Sequence, residues 1–192
     1  MFNSILVICE GNICRSPTGE RLLQQALPGK TVVSAGWRAM AGKPADETAS
    51  LVAADHGLSL DGHVARQLTG SLCRHYDLIL VMEKAHIDAV CRFSPEVRGK
   101  TLLFGHWLNQ QEITDPYRKS REAFEFVYTQ LEQSARKWAL ATLQSLLRCL
   151  ALRRELNTCM DNSPDYDFRK RPKRCWKRAA LPSLAYSFCL PV

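Results

Sequence analysis

Short apolar runs alternate with segments of helical periodicity along most of the chain. The runs are rich in β-branched and aliphatic side chains, and most end at a glycine, which is the pattern of buried strands. They occupy residues 4–8, 31–35, 77–81 and 100–104. Helices are predicted between them, over residues 17–27, 46–56 and 83–91, the first with Pro17 in its opening turn.

A longer helix is predicted after Asp115-Pro116. Its apolar side chains recur at intervals of three and four and so define one face. They are Phe124, Val127, Tyr128, Leu131, Ala135, Trp138 and Leu143. Strands that alternate with helices favour a parallel sheet covered on both faces, and right-handed crossovers restrict its topology. The sequence therefore predicts a small doubly wound α/β domain with a four-stranded parallel sheet, over residues 1–150.

Residues 151–192 differ in composition from the rest of the chain. They hold four of the nine prolines and three of the eight cysteines, and they carry +5 of the net charge of +7. This composition, with a basic run over 169–174, predicts a disordered extension. A nucleic-acid or acidic-lipid binding arm and a shifted reading frame are the alternatives. Because the remainder is nearly neutral, we expect no nucleic-acid partner.

Composition excludes several other classes of protein. With 46% hydrophobic and 23% charged residues among 192, the chain is typical of globular proteins and long enough to bury a core without disulfides. It shows neither a signal-peptide pattern nor the ~20 consecutive apolar residues of a membrane helix. The eight cysteines are scattered rather than regularly spaced. We therefore expect a cytoplasmic protein without membrane insertion.

The candidate chemistry lies in residues 9–17, which read Cys-Glu-Gly-Asn-Ile-Cys-Arg-Ser-Pro and connect the first strand to the first helix. This segment falls at the carboxyl edge of the sheet, where open α/β sheets bind ligands. Successive backbone N–H groups that lead into a helix form an anion site, and Gly11 and Asn12 both permit the tight curvature that such a loop needs. Arg15 adds a planar pair of donors that matches two phosphate oxygens.

Cys9 stands at the floor of this predicted phosphate loop. The dipoles and the guanidinium that attract phosphate also stabilise a thiolate, and a thiolate beneath a bound phosphate is a nucleophile directed at phosphorus. Ser16 is able to donate a hydrogen bond to that sulfur. A lone cysteine at a strand end is more often a small buried hydrophobic residue, but Cys-x5-Arg-Ser with Gly and Asn inside it is far more specific.

Residues 9–17 resemble the signature loop of the low-molecular-weight protein tyrosine phosphatases. Further landmarks of that family follow in order: Ser34-Ala35-Gly36, Gly57-Leu58, His63-Val64-Ala65-Arg66-Gln67, Met82-Glu83 and Asp115-Pro116-Tyr117. The resemblance covers about three quarters of the chain and is greatest to the bacterial branch encoded with capsule and exopolysaccharide genes, whose members act on tyrosine autokinases. It implies a protein-tyrosine phosphatase that needs neither metal nor cofactor, acting on a phosphotyrosine protein such as a bacterial tyrosine autokinase. We expect it to be a monomer.

The resemblance assigns a role to each matching residue. Cys9 attacks phosphorus and forms a cysteinyl phosphate, and Arg15 holds the equatorial oxygens together with the loop amides. Asp115, which by itself would indicate only a turn, protonates the departing tyrosine oxygen and then activates water. The remaining site residues are Glu10, Gly11, Asn12, Ile13, Cys14 and Ser16 in the loop, Ser34 and His63 supporting it, and Met40 and Tyr117 walling the cleft. Trp37 is a neighbour that we also place in the cleft wall, with an exposed or a core position as the alternatives. Cys14 matches a second cysteine that is able to form a protective disulfide with Cys9.

Two positions depart from the family pattern. Glu10 stands where the family usually carries an apolar or small residue, and a carboxylate beside a dianion site weakens phosphate binding unless a cation neutralises it. Arg118 follows Tyr117, where animal members often have a second tyrosine, and it would favour acidic phosphotyrosine peptides.

Two other functions fit parts of the pattern. A thiol-dependent arsenate reductase uses a similar loop but needs two further cysteines close together, whereas Cys73, Cys91 and Cys149 are widely spaced. A non-catalytic phosphotyrosine-binding module would explain Glu10, but not the joint presence of the nucleophile, the arginine and the acid. A nucleotide-binding loop and a zinc site are excluded, since the chain has neither Gly-x4-Gly-Lys nor Cys-x2-Cys.

Overall fold

The computed structural model of the chain describes residues 2–161. Its sheet contains four parallel strands, β1 (Ser4–Cys9), β2 (Thr31–Gly36), β3 (Leu78–Val81) and β4 (Thr101–Leu103), in the order β2-β1-β3-β4. The helices of the described residues are α1 (Arg15–Ala26), α2 (Glu47–Asp55), α3 (Gly70–His75), α4 (Lys84–Phe93) and α5 (Arg121–Asp161), and a 3-10 helix (Pro95–Lys100) precedes β4. The predicted α/β fold with a four-stranded parallel sheet is confirmed.

The central strand β1 supplies side chains to both faces of the sheet. Ile5 and Val7 enter a core formed with α1, α2 and α5, while Leu6 and Ile8 enter a second core formed with α3 and α4. All four side chains are fully buried. Because alternate residues of a strand point to opposite faces, a strand that is buried on both sides has to be apolar at every position. This is why residues 4–8 form an unbroken apolar run.

Helix α5 covers one face of the sheet with the apolar side chains that the sequence predicts. Phe124, Leu131 and Trp138 are each at most 5% exposed, and the indole N–H of Trp138 donates to the carbonyl oxygen of Phe104 at 2.8 Å. Leu143, the last member of the predicted apolar face, is instead 53% exposed. It lies beyond the compact unit Phe2–Thr142, which contains the whole sheet.

The predicted elements differ from the structure in a few places. The strands and helices agree to within a few residues, but the short helix α3 was not predicted, because six residues are too few for a helical periodicity to be visible. Helix α5 continues to Asp161, so its final turns include the first residues of the predicted extension 151–192. That prediction otherwise lies outside the described residues. Within residues 2–161, no helix combines the length and the apolar character that crossing a membrane requires.

Candidate active site

The loop between β1 and α1 is curved around a left-handed residue. Asn12 has φ 57°, a conformation that asparagine tolerates better than most side chains. Helix α1 begins at Arg15, and no side chain caps its N-terminus. The backbone N–H groups of that end are therefore available to an anion, and the helix dipole favours negative charge there.

A buried hydrogen-bond network holds the loop in this shape. The side-chain amide of Asn12 donates to the hydroxyls of Ser16 and Ser34, both at 2.9 Å, and its oxygen accepts from the backbone N–H of Arg66 at 2.9 Å. His63 donates from Nε2 to the backbone carbonyl of Asn12 at 2.7 Å. Asn12, Ser16, Ser34 and His63, all predicted as supporting residues, thus meet in a single network.

Cys9 ends β1 at the base of the loop and is 3% exposed. The backbone N–H of Asn12 donates to Sγ at 3.2 Å, and the hydroxyl of Ser16 lies 2.9 Å from Sγ. Since the Ser16 oxygen already accepts from the Asn12 amide, its own proton is free to point at the sulfur. Both contacts stabilise negative charge on Cys9.

Arg15 is a buried cation held by three acceptors. One terminal nitrogen donates to the Glu83 carboxylate and, at 2.8 Å, to the carbonyl of Ile113, while the other donates to Asp115 Oδ2 at 2.6 Å. Burial by itself would lower the pKa of Arg15, but the negative charges of Cys9, Asp115 and Glu83 outweigh it and raise that pKa. The guanidinium Nε is buried without a partner in the described part of the chain, so it remains available to an oxyanion.

The loop and two wall segments enclose a cavity of about 250 Å³. Its lining residues are Cys9, Glu10, Gly11, Ile13, Cys14, Arg15, Arg38, Met40, Asp115 and Tyr117. The cavity is thus a cup with a thiol and a guanidinium in its floor, a carboxylate at one side, and Met40 and Tyr117 as apolar walls. A phosphoryl group attached to an aromatic ring matches both the charge and the shape of this arrangement.

The first wall is fastened directly to the loop. Three backbone hydrogen bonds of 2.9–3.1 Å join residues 37–40 to the carbonyls of Cys9, Glu10 and Gly11. Gly36 allows this approach, because a Cβ atom there would overlap the carbonyl oxygen of Glu10.

The prediction that Trp37 walls the cleft is not supported by its position. Its ring packs against the second core, on the face of the sheet with α3 and α4, and it does not line the cavity. The neighbouring Arg38 does, with its guanidinium 5.4 Å from the centre of the Trp37 ring. Both residues lie in the turn that follows β2.

Arg38 also supplies a cation next to the Glu10 carboxylate. The two side chains form an ion pair at 3.7 Å, and both line the cavity. The carboxylate that departs from the family pattern therefore has a cation beside it.

Several residues that build the site were not predicted as site residues. Glu83 follows β3 directly and pairs with Arg15, whereas Glu20 accepts from Ser34 at 2.6 Å and Arg66 donates from Nε to the Ser34 carbonyl at 2.7 Å. Glu83 and Arg66 lie inside stretches that carry the family resemblance, and Glu83 also follows a strand at the carboxyl edge of the sheet. The family resemblance was sufficient to predict Glu83 and Arg66 as site residues, and the position after a strand was a second signal for Glu83. Neither signal applies to Glu20 or Arg38.

Cys14 lines the same cavity as Cys9 but is a different kind of thiol. Burial, and after it the charge of Asp46, raises the pKa of Cys14, so that this thiol stays protonated. Both cysteines are free in the structure. Among residues 2–161, no group of three or more His, Cys, Asp or Glu side chains is arranged to hold a metal ion.

Comparison with known families agrees with this geometry. The family described as low molecular weight phosphotyrosine protein phosphatase matches residues 4–149. The chain therefore belongs to that family, as the sequence predicts, and its activity is that of a protein-tyrosine phosphatase.

Its relatives include AmsI and Wzb. The chain is 68% identical over 141 residues to the probable low molecular weight protein-tyrosine-phosphatase AmsI of Erwinia amylovora, which covers 73% of this chain and 98% of AmsI. It is 64% identical over 141 residues to the low molecular weight protein-tyrosine-phosphatase Wzb of Escherichia coli K12, covering 73% of this chain and 96% of Wzb. The solved structure of Vibrio vulnificus Wzb in complex with benzylphosphonate superimposes with a TM-score of 0.72 at 53% identity, covering 73% of this chain and 99% of that one.

Proposed function

We propose that the chain hydrolyses protein phosphotyrosine through a cysteinyl phosphate, and that its substrate is a cytoplasmic tyrosine autokinase of capsule or exopolysaccharide synthesis. The observation that carries the mechanism is the meeting of three groups in one cavity: the Cys9 sulfur, the buried Arg15 guanidinium and the Asp115 carboxyl. Each supplies one requirement of phosphoryl transfer, namely a nucleophile, a cationic clamp and a proton donor.

In the first step, the Cys9 thiolate attacks phosphorus opposite the tyrosine oxygen. The S–P bond forms as the P–O bond breaks, and the proton of Asp115 passes to the departing phenolate oxygen. Arg15 and the N–H groups at the start of α1 hold the equatorial oxygens, where negative charge is spread in the transition state.

In the second step, water attacks the cysteinyl phosphate. Asp115 now accepts a proton from that water, the S–P bond breaks, and inorganic phosphate and the thiolate are released. The Ser16 hydroxyl, 2.9 Å from Sγ, stabilises the sulfur as a leaving group.

The pairing of Asp115 with Arg15 connects substrate binding to proton transfer. Arg15 Nη2 donates to Asp115 Oδ2 at 2.6 Å, and the backbone N–H of Tyr117 donates to Oδ1 at 3.1 Å. A phosphate dianion competes with the carboxylate for Arg15 and also repels it. Substrate phosphate and Asp115 therefore share Arg15 as a partner, which places the acid beside the phosphoryl group.

The substrate class rests on the walls of the cavity and on the resemblance to capsule-associated phosphatases. Benzylphosphonate, bound by the Vibrio vulnificus Wzb structure, is an aryl compound with a phosphoryl-like group, and it supports an aromatic ring between Met40 and Tyr117. The Arg118 guanidinium lies 5.2 Å from the centre of the Tyr117 ring and is exposed, which favours acidic sequence around the phosphotyrosine.

Hydrolysis of an aryl phosphate in the presence of EDTA tests the mechanism. We expect the wild type to remain active under chelation and Cys9→Ser to lose activity, with a radiolabelled phosphate bound to the wild-type protein after rapid quenching. An active Cys9→Ser variant contradicts the cysteinyl phosphate.

The substrate is tested separately with a phosphorylated tyrosine autokinase. Asp115→Ala should retain that kinase in a stable complex that vanadate releases, and the wild type should dephosphorylate it. Failure of both, with full activity on aryl phosphate, contradicts the autokinase assignment alone.

A further inference from the structure

The mouth of the cavity carries an ion pair that takes no part in the chemistry. Glu10 and Arg38 lie 3.7 Å apart, with 46% and 69% of their side chains exposed. Both line the same cavity as Cys9. The other two carboxylates near the floor, Asp115 and Glu83, are already occupied by Arg15.

We propose that the Glu10–Arg38 pair sets the charge selectivity for residues beside the phosphotyrosine: Arg38 binds an acidic neighbour, and Glu10 limits that gain by competing for the same guanidinium. The inference rests on the proposed function, because it names the class of phosphotyrosine sequence that the same site takes.

The position of Arg38 is rigid at its base and free at its tip. Its backbone N–H donates to the carbonyl of Glu10 at 3.1 Å, which places the two side chains next to each other on adjacent segments. The guanidinium lies over the Trp37 ring at 5.4 Å, with its charged end in solvent. Such a cation stands at the edge of the cavity without entering the phosphate site.

The ion pair is weak enough for a substrate carboxylate to displace Glu10 from Arg38. Exposed ion pairs change an equilibrium by roughly twofold to fivefold, so a carboxylate on the substrate competes with Glu10 on equal terms. When Arg38 turns to the substrate, the charge of Glu10 remains at the mouth and repels the same acidic residue. A basic residue beside the phosphotyrosine is instead attracted by Glu10 and repelled by Arg38. Glu10 and Arg38 therefore oppose each other, and removing either one uncovers the preference of the other.

Three matched phosphotyrosine peptides test this, with Ala, Asp or Lys on both sides of the phosphotyrosine. The quantity measured is the ratio of kcat/KM for the Asp peptide to that for the Lys peptide. We expect Glu10→Gln to raise this ratio about fivefold and Arg38→Gln to lower it only about twofold, because Glu10 partly holds Arg38 in the wild type; both changes should appear mainly in KM, since both charges lie on the rim. The double variant should return close to the wild-type ratio, Arg38→Lys should retain most of the selectivity, and added salt should flatten every ratio.

Arg118→Gln is the matched control. It removes an exposed cation beside Tyr117, and among the described residues the ion-pair partner of Glu10 is Arg38 rather than Arg118. Its effect should be the same with Glu10 or Gln at position 10, whereas the effect of Arg38→Gln should be larger when Gln stands there, because Arg38 is then no longer held.

The outcomes separate the two proposals. The role of the pair is overturned if the Asp/Lys ratio is the same in the wild type, Glu10→Gln, Arg38→Gln and the double variant. It is also overturned if the effect of Arg38→Gln does not depend on the residue at position 10. Either result leaves the phosphatase mechanism intact. A wild type that hydrolyses aryl phosphate but none of the three peptides contradicts both this inference and a protein phosphotyrosine substrate.

Discussion

Replacing Asp115 by Asn isolates the proton-transfer role of this residue. The amide has nearly the same shape and its single oxygen still accepts from one of the two donors, Arg15 or the Tyr117 N–H, which reach separate oxygens of Asp115, but it has no acidic proton to give. Loss of a general acid lowers a rate by about 10²–10⁴, or roughly 3–5 kcal/mol. Phenolate leaves poorly without a proton, so kcat for phenyl phosphate should fall within this range.

The leaving group makes the prediction specific. p-Nitrophenolate departs with little help from a proton, and kcat for p-nitrophenyl phosphate should therefore fall much less than kcat for phenyl phosphate. KM should not rise for either substrate, because Arg15 loses a competing carboxylate and becomes more available to phosphate. Initial rates of phosphate release on both substrates provide the assay.

Glu83→Gln is the matched control for this experiment. Glu83 is also a carboxylate partner of Arg15, but it does not line the cavity and is in no position to reach the leaving group. Its loss should reduce the rates on both substrates by the same factor. If Asp115→Asn also shows equal losses on the two substrates, Asp115 is not the general acid and acts only through Arg15.

Three further predictions concern other parts of the chain. Cys14→Ser should keep nearly full activity under reducing conditions but should no longer be reactivated by a thiol after peroxide treatment, since the disulfide with Cys9 cannot form; unchanged reactivation would show that Cys14 does not protect the nucleophile. Truncation after Leu150 should leave kcat/KM for aryl phosphate within about twofold of the full chain, because every cavity-lining residue lies between positions 9 and 117; a large loss would show that residues 151–192 contribute to the site. Burial, and then the charge of Arg15, lower the pKa of His86 below its ordinary 6.5 against the opposing charges of Glu83, Glu10 and Asp115. Below pH 6.5 the unfolded chain therefore binds a proton at His86 that the folded chain does not bind, and the free energy of unfolding falls as the pH drops. His86→Gln should lessen the fall in Tm over that range.

The active-site loop could be predicted because its chemistry is local. Residues 9–17 contain the proposed nucleophile, the guanidinium and the residues that curve the backbone within one uninterrupted segment. The apolar run before it and the helical pattern after it place that segment at the carboxyl edge of a sheet. No distant contact is needed for this inference, since a strand, a turn and a helix N-terminus together form an anion site.

The role of Asp115 was accessible only through the family resemblance. Asp115 and Arg15 are 100 positions apart, and Glu83 and Arg15 are 68 apart, yet all three carboxylate and guanidinium groups meet. They meet because β1, β3 and β4 are parallel strands of one sheet, so that the segments following them, which carry Arg15, Glu83 and Asp115 in turn, emerge at the same edge. Asp-Pro in isolation is a turn, and its chemical use depends on what the fold places beside it.

The sequence by itself determined the strand and helix pattern and the loop between β1 and α1 in which the proposed nucleophile lies, because each depends on neighbours within a few residues. Only the tertiary structure decided that Trp37 packs into a core while Arg38 faces the cavity and pairs with Glu10. That choice depends on how closely the segment after β2 approaches the loop, which Gly36 permits and which three backbone hydrogen bonds hold. Periodicity and spacing describe one segment at a time, whereas the charges at the mouth of the site result from the packing of two segments, the loop after β1 and the turn after β2.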